Sequence, residues 1–232
     1  MQAEGRPNVP DMNVRRADAG SRRPLRTRSR AWAAALAAVL EGRGVRPNQI
    51  SAAGVVFAAA GASCLAALPP VGEPARFVLL AAAAALVQLR LLANLMDGMV
   101  AIEGGRRTPT GELFNEIPDR LADLLLLVAA GYAVTWVSWG DALGWAAGVA
   151  AVLTAYVRLL GGALGVTQHF CGPLAKPHRM AVLTAACLIS ELEVVYGYAG
   201  RVLAVALGIV VVGSVLTFIR RTRLVVLELA AQ

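Results

Sequence analysis

Five polar residues that could bind a metal ion or a phosphate group lie at the facing ends of two apolar runs in the sequence. They are Asn94, Asp97, Asn115, Asp119 and Asp123. Spacings of three and four residues place each group on one face of a helix, so two such faces meeting across a short loop would form a pocket of oxygen ligands. Carboxylate and amide oxygens are hard ligands that suit Mg²⁺ or Mn²⁺, and these ions commonly bridge phosphates to protein. The pattern therefore indicates a metal-bound pyrophosphate.

The composition of the chain is that of a membrane protein. Hydrophobic residues make up 57% of the 232 residues, charged residues make up 16%, and the mean hydropathy is +0.61. Apolar stretches of about 20 residues, the length needed to cross a bilayer, recur along most of the sequence. We expect an all-α integral membrane domain over residues 46–225 with six transmembrane helices. The predicted spans are 50–68, 76–101, 115–137, 142–164, 178–196 and 201–223.

The N-terminal region has a different character. Residues 1–28 are basic and lack apolar periodicity, which predicts a disordered segment. In residues 29–45, apolar positions at helical spacing predict a juxtamembrane amphipathic helix on the membrane surface; they are Trp32, Leu36, Val39 and Leu40. A signal peptide is the alternative, because an arginine-rich region precedes the apolar run "AWAAALAAVL".

The charge distribution favours a membrane surface as the partner over nucleic acid. The formal net charge is +7, and residues 1–50 alone carry ten arginines against four acids. Ahead of a membrane domain, such a basic leader is typical of contact with anionic lipid. The predicted connections place the remaining basic residues on the same side as the N terminus, so we expect both termini to be cytoplasmic. The bias towards Ala, Arg and Gly indicates a bacterial protein, and hence the inner membrane.

The polar residues also fit a known signature. The CDP-alcohol phosphatidyltransferase family is characterised by D-x2-D-G-x2-A-R-x8-G-x3-D-x3-D, and the sequence follows this spacing without a gap. The eight aligned positions are Asn94, Asp97, Gly98, Ala101, Ile102, Gly111, Asn115 and Asp119. Five of the eight match, and "GELFNEIPD" at 111–119 resembles the "GELFD" form of eukaryotic choline and ethanolamine phosphotransferases. "RPNQIS" at 46–51 and "KPHRMA" at 176–181 resemble the family's entries into its first and fifth spans.

The resemblance implies six helices around a polar cavity open to the cytoplasm, in which divalent ions hold the CDP-lipid pyrophosphate. It implies that Asp97 binds metal and that Asp119 binds metal and acts as the base for the acceptor alcohol. The nucleotide would lie on Asp97, Gly98, Ala101 and Gly111. A homodimer is also expected from the resemblance.

The sequence departs from the family at three positions. Asn94 and Asn115 replace acids, and neutral amide oxygens are weaker ligands for a cation. Asp123, one turn beyond Asp119, is predicted to compensate as a metal ligand and is better aimed than Glu116. Ile102 replaces an arginine, a role that Arg106 or Arg107 could take.

Basic residues elsewhere could bind the acceptor. Arg158, Lys176 and Arg179 are predicted to surround an anionic headgroup, since guanidinium groups recognise phosphate well, although Lys176 and Arg179 could equally be charges that set the topology. Arg90 is expected to pair with an acid.

The sequence thus predicts transfer of a phosphatidyl or similar group from a CDP-alcohol, such as CDP-diacylglycerol, to a hydroxyl acceptor, with Mg²⁺ or Mn²⁺ and release of CMP. The alternatives are a catalytically impaired relative that binds lipid or nucleotide or acts as a scaffold, and a small transporter.

Overall fold

Seven α-helices make up the part of the chain described by the structure, a computed structural model covering residues 31–69, 72–103, 111–196 and 200–232. They are α1 (Ala31–Gly42), α2 (Pro47–Ala66), α3 (Glu73–Glu103), α4 (Gly111–Tyr132), α5 (Gly140–Ala163), α6 (Lys176–Val195) and α7 (Arg201–Ala230). Within these ranges the chain forms no β-strand. The all-α class predicted from composition is confirmed.

Helices α2 to α7 pack in a closed ring. Around the ring the order is α2, α3, α6, α7, α5 and α4, and α4 packs against α2 again. Large apolar side chains fill the interior, among them Leu65, Leu80, Leu126, Met180 and Leu207. The ring brings α3 and α4 to opposite sides of α2, so the polar ends of these two helices both face the start of α2.

Four helices are long and apolar enough to cross a membrane: Pro47–Ala66, Pro74–Ala101, Gly140–Ala163 and Arg201–Ala230. Helices α4 and α6 also belong to the ring, but charged residues lower their hydropathy. The count of six spans therefore stays a prediction, although all six helices in question form. Two helices differ from the predicted spans by more than three residues at an end. Helix α4 begins at Gly111 and ends at Tyr132, and α7 continues to Ala230.

Helix α1 lies within the predicted 29–45 segment, but a different face of it is covered. Ala33 and Ala37 are buried against α3, next to Met96. Trp32 and Val39, predicted to belong to the apolar face, are about half exposed. The small alanines permit close approach to α3, and Leu36 and Leu40 of the predicted apolar face are partly buried against the same cluster. Whether α1 lies on the membrane surface stays a prediction, and residues 1–28 lie outside the described part of the chain.

Glycines set the contact between α4 and α5. A Cβ atom on Gly131 would lie 2.6 Å from the Cα of Gly144 and 2.7 Å from the carbonyl oxygen of Gly140. The two backbones therefore touch, as small residues allow at the interfaces of membrane helices. This contact fixes the position of α4, which carries three of the five polar residues singled out in the sequence.

We predict that Gly131→Ala destabilises the protein by about 1–3 kcal/mol, because the added methyl group must push two helix backbones apart. Thermal unfolding in detergent measures the effect. Gly208→Ala is the matched control, since a Cβ at Gly208 meets nothing within 4 Å and alanine favours a helix. Equal stability of the two variants would contradict the close α4–α5 contact.

Candidate functional site

A recess between α2, α3 and α4 collects four of the five polar residues predicted to bind metal. It contains about 230 Å³ of space between atoms, part of it open to solvent. Asn94 and Asp97 reach it from α3, and Asn115 and Asp119 reach it from α4. The spacing inferred from the sequence therefore places these side chains around one space. Residues of α2, including Ser51 and Gly54, form the remaining wall.

Two oxygen atoms at this recess have no hydrogen-bond partner within the described part of the chain. Asp97 is buried, and its Oδ2 accepts a hydrogen bond of 2.8 Å from the Ser51 hydroxyl. The Oδ1 atoms of Asp97 and Asn115 are also buried, but neither is hydrogen-bonded to any residue that the structure describes. Buried polar atoms without partners are uncommon and call for an explanation such as a bound ion or water. These two oxygens are suitable ligands for a hard cation.

Asp119 has three cationic neighbours among the described residues, of which Arg120 is the most distant, 3.8 Å from Asp119 Oδ2. The guanidinium of Arg90 lies 3.3 Å from Asp119 Oδ1 and also donates a hydrogen bond of 3.0 Å to the Asp119 carbonyl oxygen. The ammonium of Lys176 pairs with Asp119 Oδ2 and also donates to Asn94 Oδ1. Lys176 therefore reaches from the first residue of α6 into the recess. Pro118, which lines the recess next to Asp119, cannot donate a backbone hydrogen bond, so the helical ladder is interrupted there.

Asp123 has an environment different from the one expected of a metal ligand. Its Oδ1 is 2.7 Å from Arg90 and its Oδ2 is 3.3 Å from Arg179. All three side chains are 2% exposed or less. Because both carboxylate oxygens are paired, Asp123 could bind a metal only if these ion pairs separated. The structure therefore gives Asp123 the role of joining α3, α4 and α6, and it does not line the recess.

The three residues predicted to bind the acceptor do not form one cluster. Arg158 lies 2.7 Å from Glu116 and donates a hydrogen bond of 2.8 Å to Gln168. Arg179 donates to Thr154 in addition to pairing with Asp123. Of the three, Lys176 is the residue whose charged group contacts the lining of the recess. Each of the two arginines is paired with an acid in this structure.

Sequence reasoning missed Arg221 as part of the interior. Arg221 lies near the end of the predicted span 201–223, where a basic residue is expected at the membrane surface, but α7 extends past it and Arg221 is buried. Its guanidinium donates to the backbone carbonyl oxygens of Thr154, at 2.6 Å, and Cys171, at 2.9 Å. The unbroken helical periodicity of "SVLTFIRRTRLVVLELA" is the signal that could have indicated this.

The residues predicted to bind the nucleotide lie at the same end of the helix bundle as the recess. Asp97 lines the recess, whereas Gly98 and Ala101 lie in the last two turns of α3 and Gly111 is the first residue of α4. The segment that links these helices, residues 104–110 with Arg106 and Arg107, lies outside the described residues. The side chain of Ile102 does as well.

The number of acidic groups at the recess is small. Among the residues that the structure describes, no group of three or more His, Cys, Asp or Glu side chains is suited to hold a metal ion. The recess combines two carboxylates, Asp97 and Asp119, with the amides of Asn94 and Asn115. All four groups offer oxygen atoms, so the donor set fits Mg²⁺ or Mn²⁺ with a reduced negative charge.

The fold is shared with solved structures of one enzyme. No protein-family model and no curated protein matches the sequence. Phosphatidylinositol phosphate synthase from Mycobacterium tuberculosis, in complex with manganese and citrate, superposes with a TM-score of 0.68 at 21% identity, covering 83% of this chain and 88% of that chain. The same enzyme with CDP-DAG bound gives a TM-score of 0.67 at 21% identity, with 83% and 92% covered. Its apo form gives 0.64 at 21% identity, with 81% and 93% covered.

These likenesses show that the chain has the fold of a CDP-alcohol phosphatidyltransferase. The resemblance inferred from the motif is therefore confirmed at the level of the fold.

We predict that Asp123→Asn destabilises the protein by about 3–5 kcal/mol, because two arginines would remain buried beside a neutral group. Thermal unfolding in detergent with EDTA measures this change while excluding any contribution from a metal. Asp141→Asn is the control, since Asp141 is exposed at the start of α5 and should change stability by about 0.5 kcal/mol or less. If Asp123→Asn were as stable as the control, the ion pairs would not hold the helices together.

Proposed function

We propose that the protein transfers a phosphatidyl or similar phospho-lipid group from a CDP-alcohol, such as CDP-diacylglycerol, to a hydroxyl acceptor with release of CMP. The observation that carries the proposal is the convergence of Asn94, Asp97, Asn115 and Asp119 on one recess. Their spacing follows the family signature without a gap, and the chain has the fold of an enzyme whose structure holds CDP-DAG. Fold and motif are independent observations, and both favour this reaction class.

We propose that the recess binds Mg²⁺ or Mn²⁺. Phosphatidylinositol phosphate synthase, which has this fold, has been observed with manganese, and here Asp97 and Asn115 present buried oxygens that no described residue contacts by a hydrogen bond. Asp97 and Asn115 would hold the ion through these oxygens, and Asp119 and Asn94 line the same recess in contact with Lys176. The ion would supply positive charge to the pyrophosphate as negative charge develops on the leaving CMP. Asp123 is left out of the proposed ligand set because it does not line the recess and its two oxygens are paired with buried arginines.

We propose that Asp119 accepts the proton of the attacking hydroxyl. Its position favours this role, since the side chain lines the recess and Arg90 fixes both its carbonyl and its Oδ1. A carboxylate held in one orientation next to the acceptor removes its proton as the oxygen attacks phosphorus. Asn94 and Asn115 are neutral amides and cannot act as bases.

The acceptor is proposed to carry negative charge. Lys176 contacts the recess directly, and Arg158 on α5 and Arg179 on α6 add two cationic groups, paired with Glu116 and Asp123. A phosphate group on the acceptor could replace Glu116 as the ion-pair partner of Arg158, because Glu116 is partly exposed.

The proposed location is the bacterial inner membrane, with both termini cytoplasmic and the recess open to the cytoplasm. Four helices of spanning length support a multi-pass arrangement. A homodimer is proposed from the family resemblance alone, and no nucleic acid partner is proposed.

A second candidate function is binding of a CDP-lipid without turnover. The observation that favours it is the ligand set of two carboxylates and two amides, which carries less charge than the four acids of the family signature. Binding and scaffolding need the recess but not a base.

CMP release distinguishes the two candidates. We expect the purified protein, given CDP-diacylglycerol, Mn²⁺ or Mg²⁺ and a panel of alcohol acceptors, to release CMP with at least one of them. Asp119→Asn should lower the rate by about 100-fold or more, because the base is lost. Asp141→Asn, exposed and distant from the recess, should keep the wild-type rate.

CMP release that is absent with every acceptor, while CDP-lipid still binds, would favour the second candidate. A fully active Asp119→Asn variant would overturn the role of Asp119 as base.

We predict that Asn115→Asp tightens Mn²⁺ binding by about tenfold, because a charged oxygen replaces a neutral one at the recess. Titration of Mn²⁺ followed by electron paramagnetic resonance measures the dissociation constant. Asn48→Asp, exposed at the start of α2, is the matched control and should leave it unchanged. Identical affinities in the two variants would remove Asn115 from the ligand set.

A further inference from the structure

The oxygens of the recess fall into two pairs with different partners. Each pair contains one carboxylate oxygen and one amide oxygen. Asp119 Oδ2 and Asn94 Oδ1 both contact the ammonium of Lys176. Asp97 Oδ1 and Asn115 Oδ1 are buried without a partner among the described residues. One pair is therefore already bridged by a cation that belongs to the chain, and the other is open.

The position of Lys176 follows from the ring of helices. Lys176 is the first residue of α6, and α6 packs against α3. Its side chain is 17% exposed and joins α3 to α4 through Asn94 and Asp119. An ammonium group has three N–H donors, so two contacts leave one donor for a ligand in the recess.

The charges at the recess favour one additional cation. Asp97 and Asp119 contribute two negative charges, but Asp119 is already paired with Arg90 and Lys176 and lies 3.8 Å from Arg120, so the negative charge available to a further cation is that of Asp97. One divalent ion at the open pair is compatible with these charges. A second would lie against the Lys176 ammonium at contact distance and be repelled.

We propose that the Lys176 ammonium is a built-in cation of the recess, which bridges Asn94 and Asp119 and restricts the chain to one divalent ion, at Asp97 and Asn115. Its third donor is available to a phosphate oxygen of the bound substrate. The contact between Lys176 and a substrate phosphate rests on the proposed function, whereas the expected number of bound ions does not. Lys176 then supplies the positive charge that a second metal ion would supply. The neutral amide of Asn94 is a suitable hydrogen-bond acceptor for the Lys176 ammonium.

The number of Mn²⁺ ions bound per chain tests the proposal without substrate. We expect one ion in the wild type and one in Asn94→Asp, because Lys176 pairs with the new carboxylate. In the double variant Asn94→Asp/Lys176→Met, two carboxylates face a position with no ammonium, and we expect two ions. Electron paramagnetic resonance of free and bound Mn²⁺ gives the count.

Two controls separate this role from a general effect of charge. Asn94→Asp/Lys176→Arg keeps a cation and should still bind one ion. Asn94→Asp/Arg223→Met removes a positive charge from an exposed site on α7 and should also bind one ion. Should the Lys176→Met double variant not fold, Lys176→Met alone provides the test. Its Mn²⁺ dissociation constant should fall by about tenfold, because a like charge is removed from the recess.

Two ions bound by Asn94→Asp alone would overturn the proposal. So would one ion bound by Asn94→Asp/Lys176→Met, an unchanged Mn²⁺ affinity in Lys176→Met, or the absence of Mn²⁺ binding from every variant. A protein that never releases CMP but shows the expected change from one ion to two would refute the proposed reaction and support the role of Lys176.

Discussion

The guanidinium of Arg90 is the interaction on which the site depends. It is 1% exposed and bonds to the carboxylates of Asp119 and Asp123 and to the Asp119 carbonyl. Arg179 completes the network from α6. Buried charges are costly unless their partners are well placed, so these helices can associate only in the register that pairs them. The network therefore holds α3 and α4 at the spacing that defines the recess.

This constraint separates two roles within one helix. Asp119 and Asp123 are one turn apart on α4, but Asp119 lines the recess whereas Asp123 is enclosed by arginines. A rotation of α4 that brought Asp123 to the recess would remove its partners. The glycine contact with α5 opposes such a rotation, because Gly131 has no space for movement against Gly144. Packing on one side and ion pairs on the other thus determine which carboxylate is available for chemistry.

The sequence predicted which helices form and which residues line the recess better than it predicted which charged side chains pair with one another. Apolar runs of spanning length and residues at helical spacing are local properties, so they indicated six ring helices and the convergence of Asn94, Asp97, Asn115 and Asp119. The partner of Asp123 depends on how α6 packs against α3, which no local pattern encodes. The reach of Lys176 into the recess is a long-range contact of the same kind. The burial of Arg221 was not predicted, because a basic residue near the end of a predicted span is typical of the membrane surface, whereas helix α7 continues beyond it.

The closed ring has a consequence for biogenesis. Helix α3 carries Arg90 and Asp97, but the groups that neutralise Arg90 belong to α4, which is synthesised later, and the groups around Asp119 and Asp123 are completed only by Lys176 and Arg179 of α6. Newly made α3 and α4 therefore contain charged groups for which lipid offers no partner. The charge pairing of α3 and α4 is complete only when α6, the fifth ring helix in chain order, has been synthesised and packed against them. We therefore expect α6 to complete the stable assembly in the bilayer.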